Sequence, residues 1–217
     1  MMPTSAKYWV LFTLVMLGTG SSMPSFGLPE EIQDAYERKD TARLRRALNA
    51  ATSQTEKFLA IYRLYPLTLD KNLIRNIPTE LKQASAREYA LLAALWSYRI
   101  NEDKSLLISA GMRINGLLDK AKRLNPNEPV YLLVDGQGLF YMPGMFGGSY
   151  NKALVRFRAA RDAIVRDKPV GLSRLDAETW IWYALYKQKA ANATAYKQEL
   201  LGRGLPPIYR EFLLSPP

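Results

Sequence analysis

Apolar residues recur along this chain at spacings of three and four, which is the period of one helix face. The clearest example covers residues 150–166, where one face carries Ala153, Leu154, Phe157, Ala160 and Ile164. Long runs of Val, Ile and Thr, which favour strands, are missing, while strong helix formers dominate the middle of the chain. The pattern predicts an all-α protein made of stacked antiparallel helix pairs.

The same periodicity gives the order of the helices. They are expected at residues 28–40, from 41 onward, 55–65, 70–76, 86–101, 104–124, 129–141, 150–166, 176–189 and 192–201. The segment 86–101 is apolar nearly all round, which predicts a helix buried at the centre of the bundle. The tail, residues 205–217, is flanked by prolines and is expected to fold back as a cap.

Capping residues and prolines mark several of these boundaries. Asp40 stands where the N-cap of the second helix is expected, and Ser85 with Glu88 three residues later forms a capping-box pattern. Pro66 is expected to end the third helix, because the residue before a proline resists the α conformation.

The first 27 residues have the pattern of a secretory signal. A single lysine, Lys7, precedes an apolar run at residues 8–17, and small residues follow. About ten apolar residues are too few to span a bilayer, which needs roughly 20. We therefore expect residues 1–27 to be a cleaved signal peptide and 28–217 to be one exported domain, periplasmic or extracellular. Retention of the segment as an anchor is the alternative.

The chain contains no His and no Cys, and this restricts its chemistry more than any motif does. A thiolate nucleophile, a Cys/His zinc site and an imidazole general base are all excluded. The carboxylates form no recognisable acid–base pair in the sequence. We therefore expect a non-enzymatic protein without a cofactor, and a carboxylate-based hydrolase is the less favoured reading.

The 217-residue chain has a formal net charge of +10, with 30 Lys and Arg against 20 Asp and Glu. The basic residues are spread along the chain in short clusters, such as Arg43, Arg45 and Arg46, and no nucleic-acid motif accompanies them. Nucleic acid is therefore not the expected partner. The charge has two readings, a solvated basic surface or attraction to an anionic partner.

Several helices carry large and small apolar residues at similar spacings. One helix reads Ala153-x-x-x-Phe157-x-x-Ala160, and others carry Leu118 and Ala121 before Pro126, or Trp180, Tyr183 and Ala184. This spacing resembles the tetratricopeptide repeat, in which each helix pair buries its apolar face against its neighbours. The resemblance covers residues 86–204 and is degenerate, since no repeat carries the full signature. An unrelated helical bundle is the alternative.

The loop at residues 142–149 points to a smaller group of proteins within this resemblance. Residues 142–149, MPGMFGGS, followed by a helix with Lys152 and Ala153, look like a feature of exported tetratricopeptide-like bacterial proteins. Among these the chain is similar to the T-component of periplasmic TRAP-type solute transporters. That resemblance implies an accessory role in solute uptake.

Eight residues are candidates for a groove that holds a ligand or partner. They are the acid in an apolar stretch, the aromatic residues and glycines around the 142–149 loop, and three aromatic residues of one helix: Asp135, Tyr141, Phe146, Gly147, Gly148, Trp180, Trp182 and Tyr186. Asp135 needs a basic partner from an adjacent helix if it is buried. Gly147 and Gly148 either relieve the backbone or expose amides that bind anions. Gly136 and Gly138 are expected to allow close helix packing.

These observations predict an exported binding or scaffold protein of the bacterial envelope. Its helical body would hold a protein segment or a small ligand on a concave face. An accessory component of solute uptake is the alternative, and a binder of anionic surfaces is a third. The sequence leaves the oligomeric state open.

Overall fold

The computed structural model describes residues 27–167 and 171–216, and over these residues the protein is all-α. Gly27, the N-cap of the first helix, is the one residue of the predicted signal segment within the described part of the chain. The helices are α1 Leu28–Glu37, α2 Thr41–Ala50, α3 Gln54–Thr68, α4 Asn72–Arg75, α5 Ala86–Glu102, α6 Leu107–Leu124, α7 Pro129–Tyr141, α8 Tyr150–Arg166, α9 Arg174–Lys187, α10 Ala193–Leu201 and α11 Pro207–Leu214.

The predicted caps are confirmed. The Asp40 side chain accepts a hydrogen bond from the Arg43 amide at 2.9 Å, and Ser85 and Glu88 form a complete capping box at the start of α5. Each such cap satisfies backbone amides that the first helical turn leaves without partners.

The prediction that Pro66 ends the third helix is wrong, because α3 continues through it to Thr68. A proline inside a helix leaves the carbonyl four residues earlier without its amide donor. Here that carbonyl belongs to Tyr62, and it accepts a hydrogen bond from the Tyr98 hydroxyl of α5 at 3.2 Å. A side chain distant in sequence therefore replaces the missing backbone bond.

The helices form two layers in a solenoid-like arrangement. The helices α1, α3, α5 and α7 pack in sequence as an inner layer, with α5 between α3 and α7. The helices α2, α6 and α8 each pack against members of this series and are called the outer layer. The last helix, α11, contacts both α9 and α1, so the series closes on itself. No described helix is both long and apolar enough to cross a membrane.

The joint between α7 and α8 shows how the repeat-like residues pack. Ala153, Phe157 and Ala160 are fully buried, and Gly136 of α7 lies against the Phe157 ring. A Cβ atom at Gly136 would come within 2.6 Å of that ring, which confirms the close packing predicted for this glycine. The same prediction for Gly138 is wrong, since a Cβ there would meet no atom within 4 Å.

Candidate functional site

A cavity of about 1070 Å³, called the central cavity below because six helices contribute to its wall, lies among the described residues. Its wall comes from six helices, α1, α3, α5, α7, α9 and α11, and none of its lining residues belongs to α2, α6 or α8. Seven aromatic side chains line it: Tyr36, Tyr62, Tyr98, Tyr141, Trp180, Tyr209 and Phe212. The cavity is open to solvent on part of its boundary and is bordered by the inner layer, α9 and α11.

Helical periodicity explains which residues reach the cavity. Two central helices contribute residues at the same spacing of i, i+3, i+4 and i+7, namely Ala94, Ser97, Tyr98 and Asn101 from α5, and Val134, Gln137, Gly138 and Tyr141 from α7. Residues at this spacing share one helix face. The opposite faces of both helices pack against the outer layer, so α5 and α7 lack a wide solvent face.

Arg63 of α3 is the charged centre of the wall. Its Nη1 and Nη2 atoms donate to the two carboxylate oxygens of Asp176 in α9, at 2.9 and 2.7 Å. Arg63 is 2% exposed, and its Nη2 also donates to the Gly171 carbonyl at 3.2 Å. Bidentate geometry of this kind is the strongest form of the Arg–carboxylate pair. It joins two helices that are 113 residues apart in the chain.

The environment of Arg63 keeps it charged. Burial lowers the pKa of its guanidinium, but the Asp176 carboxylate outweighs this and holds the pKa above its ordinary value. The Arg63 Cζ atom lies 4.3 Å from the centre of the Tyr36 ring, within the range of a cation–π contact. Burial raises the pKa of the Tyr36 phenol well above its usual range, so Tyr36 is neutral there.

The terminal helix is attached to this centre through Tyr209. Its hydroxyl accepts a hydrogen bond from Gln33 Nε2 at 2.8 Å and shares another with Ser173 Oγ at 2.9 Å. Burial raises the pKa of Tyr209, which keeps the phenol protonated. Lys39 and Glu211 form an ion pair between the end of α1 and α11. Three helices, α1, α9 and α11, therefore meet beside Arg63.

The other polar groups of the wall mostly bond to the protein itself. Ser97 and Thr179 donate to the carbonyls of Ala93 and Leu175 in their own helices, at 3.1 and 2.9 Å, and Tyr98 donates to the Tyr62 carbonyl. The two wall carboxylates, those of Asp176 and Glu211, are both in ion pairs. The wall thus offers aromatic and aliphatic surface with little charge that is not already paired.

Two of the eight predicted site residues, Tyr141 and Trp180, line the cavity. Their rings meet edge to face with centroids 5.8 Å apart, and Trp180 also contacts Phe212 of α11 at 5.4 Å. Burial raises the pKa of Tyr141 to about 12. These two residues connect α7, α9 and α11 at one end of the cavity.

The other aromatic candidates lie elsewhere. Trp182 is buried in the core and stacks on Tyr186 with centroids 5.5 Å apart, and Tyr186 is half exposed. Phe146 is exposed in the loop between α7 and α8, within a single 3-10 turn at Gly144–Phe146. Residues two apart on a helix point to different faces, which separates Trp182 from Trp180.

The remaining candidates have structural roles. Asp135 pairs with Arg156 of α8, with Oδ2 and Nε 2.6 Å apart, which confirms the predicted basic partner from an adjacent helix. Gly147 has a φ of 95°, a left-handed conformation that favours glycine. A Cβ at Gly148 would lie 1.7 Å from the Met142 carbonyl oxygen, so the loop needs glycine there too.

Sequence reasoning missed the charged centre and four of the five tyrosines of the wall. A signal was available for Arg63, because it interrupts the apolar run from Phe58 to Tyr65, where a charge needs a buried partner. No local signal identifies that partner as Asp176, which by itself reads as the acid of a helix start. Asp176 has that role as well, because its carboxylate accepts a hydrogen bond at 2.8 Å from the amide of Ser173, the N-cap of α9.

Comparison with known proteins gives no match, either among protein-family models or among curated proteins. The described residues contain no group of three or more carboxylates placed to hold a metal ion.

Proposed function

We propose that this protein is an exported, non-catalytic binding protein whose tetratricopeptide-like body holds a small, uncharged and largely apolar ligand in the central cavity. The observation that carries the proposal is the composition of the cavity wall. Seven aromatic rings face a volume of about 1070 Å³, and each charged side chain of the wall is in an ion pair.

The size of the cavity favours a small molecule over a folded partner. Sites for small ligands usually enclose about 300–1,000 Å³ and are lined mostly by apolar and aromatic side chains with a few polar groups. The central cavity matches this description at the upper end of the range. A ligand the size of a lipid chain or a few fused rings would fill it.

The polarity of the wall favours an uncharged ligand. A charged ligand group would have to compete with Asp176 for Arg63, or with Lys39 for Glu211, and would lose water on entry. Aromatic faces, by contrast, gain free energy when they bury apolar surface. The same pairing supports a non-catalytic role, since both wall carboxylates are in ion pairs.

The tetratricopeptide-like identity of the body and its export are parts of the same proposal. The fully buried Ala153, Phe157 and Ala160, at the spacing of that repeat, support the first. The signal pattern of residues 1–27 supports the second, and it lies outside the described residues apart from Gly27. An accessory role in solute uptake is a narrower form of the proposal, in which the ligand is the transported solute.

Gly138 gives a direct test. It lines the cavity, and a Cβ there meets no atom within 4 Å, so Gly138→Leu should fill part of the cavity without displacing the wall. The probe is the uncharged apolar dye N-phenyl-1-naphthylamine, whose fluorescence rises in apolar surroundings. We expect the unaltered protein to bind the dye with one site per chain and the variant to bind it at least tenfold more weakly.

Gly116→Leu is the matched control. Gly116 is an exposed glycine inside α6, where a Cβ also meets no atom within 4 Å, so it undergoes the same substitution away from the cavity. This variant should bind the dye like the unaltered protein. Equal binding by the Gly138 variant, with its helical circular dichroism unchanged, would contradict the proposal. So would failure of the unaltered protein to bind the dye.

A further inference from the structure

Charge is divided unequally between the two layers of helices. The outer helices α2, α6 and α8 carry twelve Lys and Arg residues and only two acids, Asp119 and Asp162. The six helices that line the cavity carry seven Lys and Arg and eleven Asp and Glu. The excess positive charge of these helices therefore lies on elements that contribute nothing to the cavity wall.

Many of these outer cations are available to a partner. Arg46, Lys122, Arg123, Lys152 and Arg158 are exposed, and none of them forms an ion pair with another described residue. Three helices contribute to this set, with Lys122 and Arg123 adjacent in the last turn of α6. Exposed cations without an internal partner attract an anionic partner.

Two of the helices that carry these cations also carry exposed apolar side chains. On α6, Ile108 is 76% exposed and Met112 is 67% exposed, one helical turn apart on the face opposite the buried Leu117 and Ala121. On α8, Val155 and Val165 are also exposed, on the same side as Arg158. Adjacent exposed apolar side chains such as Ile108 and Met112 form the kind of patch through which proteins contact other molecules or membranes.

We propose that the exposed face of α6 binds the surface of an anionic lipid membrane, through Ile108, Met112, Lys122 and Arg123. Cations near an anionic leaflet are attracted to its negative surface potential. Apolar side chains such as Ile108 and Met112 enter the boundary between headgroups and acyl chains. A nucleic acid would satisfy the cations through its phosphates but would give these two side chains no apolar partner.

Vesicle binding tests the proposal. The purified mature chain, residues 28–217, is sedimented with vesicles of phosphatidylcholine alone and with vesicles of equal parts phosphatidylcholine and phosphatidylglycerol. We expect binding to the anionic vesicles only, and weaker binding as salt is raised, because salt screens exposed charges. The double variant Lys122→Glu/Arg123→Glu should bind these vesicles at least about tenfold more weakly.

The matched control is Lys57→Glu/Arg210→Glu, which makes the same change of charge on exposed, unpaired residues of the inner helices α3 and α11. It should keep most of the binding. A second variant, Ile108→Ser/Met112→Ser, leaves the charge unchanged and should also weaken binding. Circular dichroism and thermal melting establish that each variant is folded.

Three results would overturn the proposal. The first is equal binding to neutral and anionic vesicles. The second is an equal loss in the outer-layer and control charge variants, which would mean that only net charge matters. The third is tight binding of a fluorescent DNA duplex by a protein that fails to sediment with anionic vesicles, which would assign the surface to nucleic acid. None of these measurements involves the apolar dye, so this proposal and the cavity proposal fail separately.

Discussion

Two contacts between helices of this protein are held together in opposite ways. The joint between α7 and α8 is apolar and local, with Gly136 against the buried Phe157 ring 21 positions later. The contact of α3 with α9 is ionic and distant, with Arg63 and Asp176 paired in a site that is 2% and 5% exposed. The first is a contact between successive helices, and the second closes the molecule around its cavity.

The difference shows what each contact has to do. A joint between successive helices needs only complementary shape, which small and large residues at fixed spacing supply. The contact between α3 and α9 must form between two particular helices although many helix faces are apolar. A buried bidentate ion pair forms only in one narrow geometry, because a misplaced partner leaves a buried charge unpaired. We infer that the ion pair fixes the position of α9, and with it α11, relative to α3.

The largest effect is expected at the closing contact. Arg63→Leu removes one partner and leaves the Asp176 carboxylate buried without its cation, which should lower the free energy of unfolding by about 3–5 kcal/mol. Urea denaturation followed by circular dichroism measures it. The double variant Arg63→Leu/Asp176→Asn should recover part of the loss, because no unpaired charge remains. A loss under about 1 kcal/mol for the single variant would mean that the pair does not hold the closure.

An intermediate effect is expected at the α7–α8 joint. Gly136→Ala places a Cβ within 2.6 Å of Phe157, and overpacking of this kind costs roughly 1–3 kcal/mol, offset by about 0.5–1 kcal/mol of better helix propensity. Thermal melting should therefore show a modest destabilisation. Gly138→Ala, two positions later and without a nearby atom, should be neutral or more stable. If the two variants behaved alike, the joint would not depend on close approach.

The smallest effect is expected from the loss of an N-cap serine, and its size should differ between α3 and α9. Ser173 caps α9 and also shares a hydrogen bond with the buried Tyr209, whereas Ser53 caps α3 in an exposed capping box. Replacing an N-cap serine by alanine costs about 1 kcal/mol. We expect Ser53→Ala to lose about that much and Ser173→Ala to lose more, since Tyr209 is left with one partner fewer. Urea denaturation of the two variants side by side measures the difference, and equal losses would argue against a role for Ser173 in holding α11.

Much of the helical pattern could be predicted from the sequence, because its causes are local. The bounds of α7 and α8 follow from Pro129, from the glycines of the 142–149 loop and from apolar spacing. The exception at Pro66 has a reason that is not local. Its helix continues because Tyr98, 32 residues later, supplies the hydrogen bond that proline cannot.

Fewer residues of the candidate site could be predicted from the sequence. Tyr141 and Trp180 stood out as large aromatic residues beside a loop and within an aromatic helix, and both line the cavity. Trp182 stood out equally and is core, because a shift of two positions turns a side chain to another helix face. Composition identified aromatic residues, and only the orientation of each helix separated wall from core.

The sequence by itself determined the all-α class, most helix bounds, the absence of imidazole and thiol chemistry, and the excess of positive charge, because these depend on residue type and short-range spacing. The tertiary structure decided the contact of α3 with α9, the cavity beside it and the division of charge between two sets of helices. Those features depend on which helix faces meet across more than 100 residues, and local spacing carries no information about that choice.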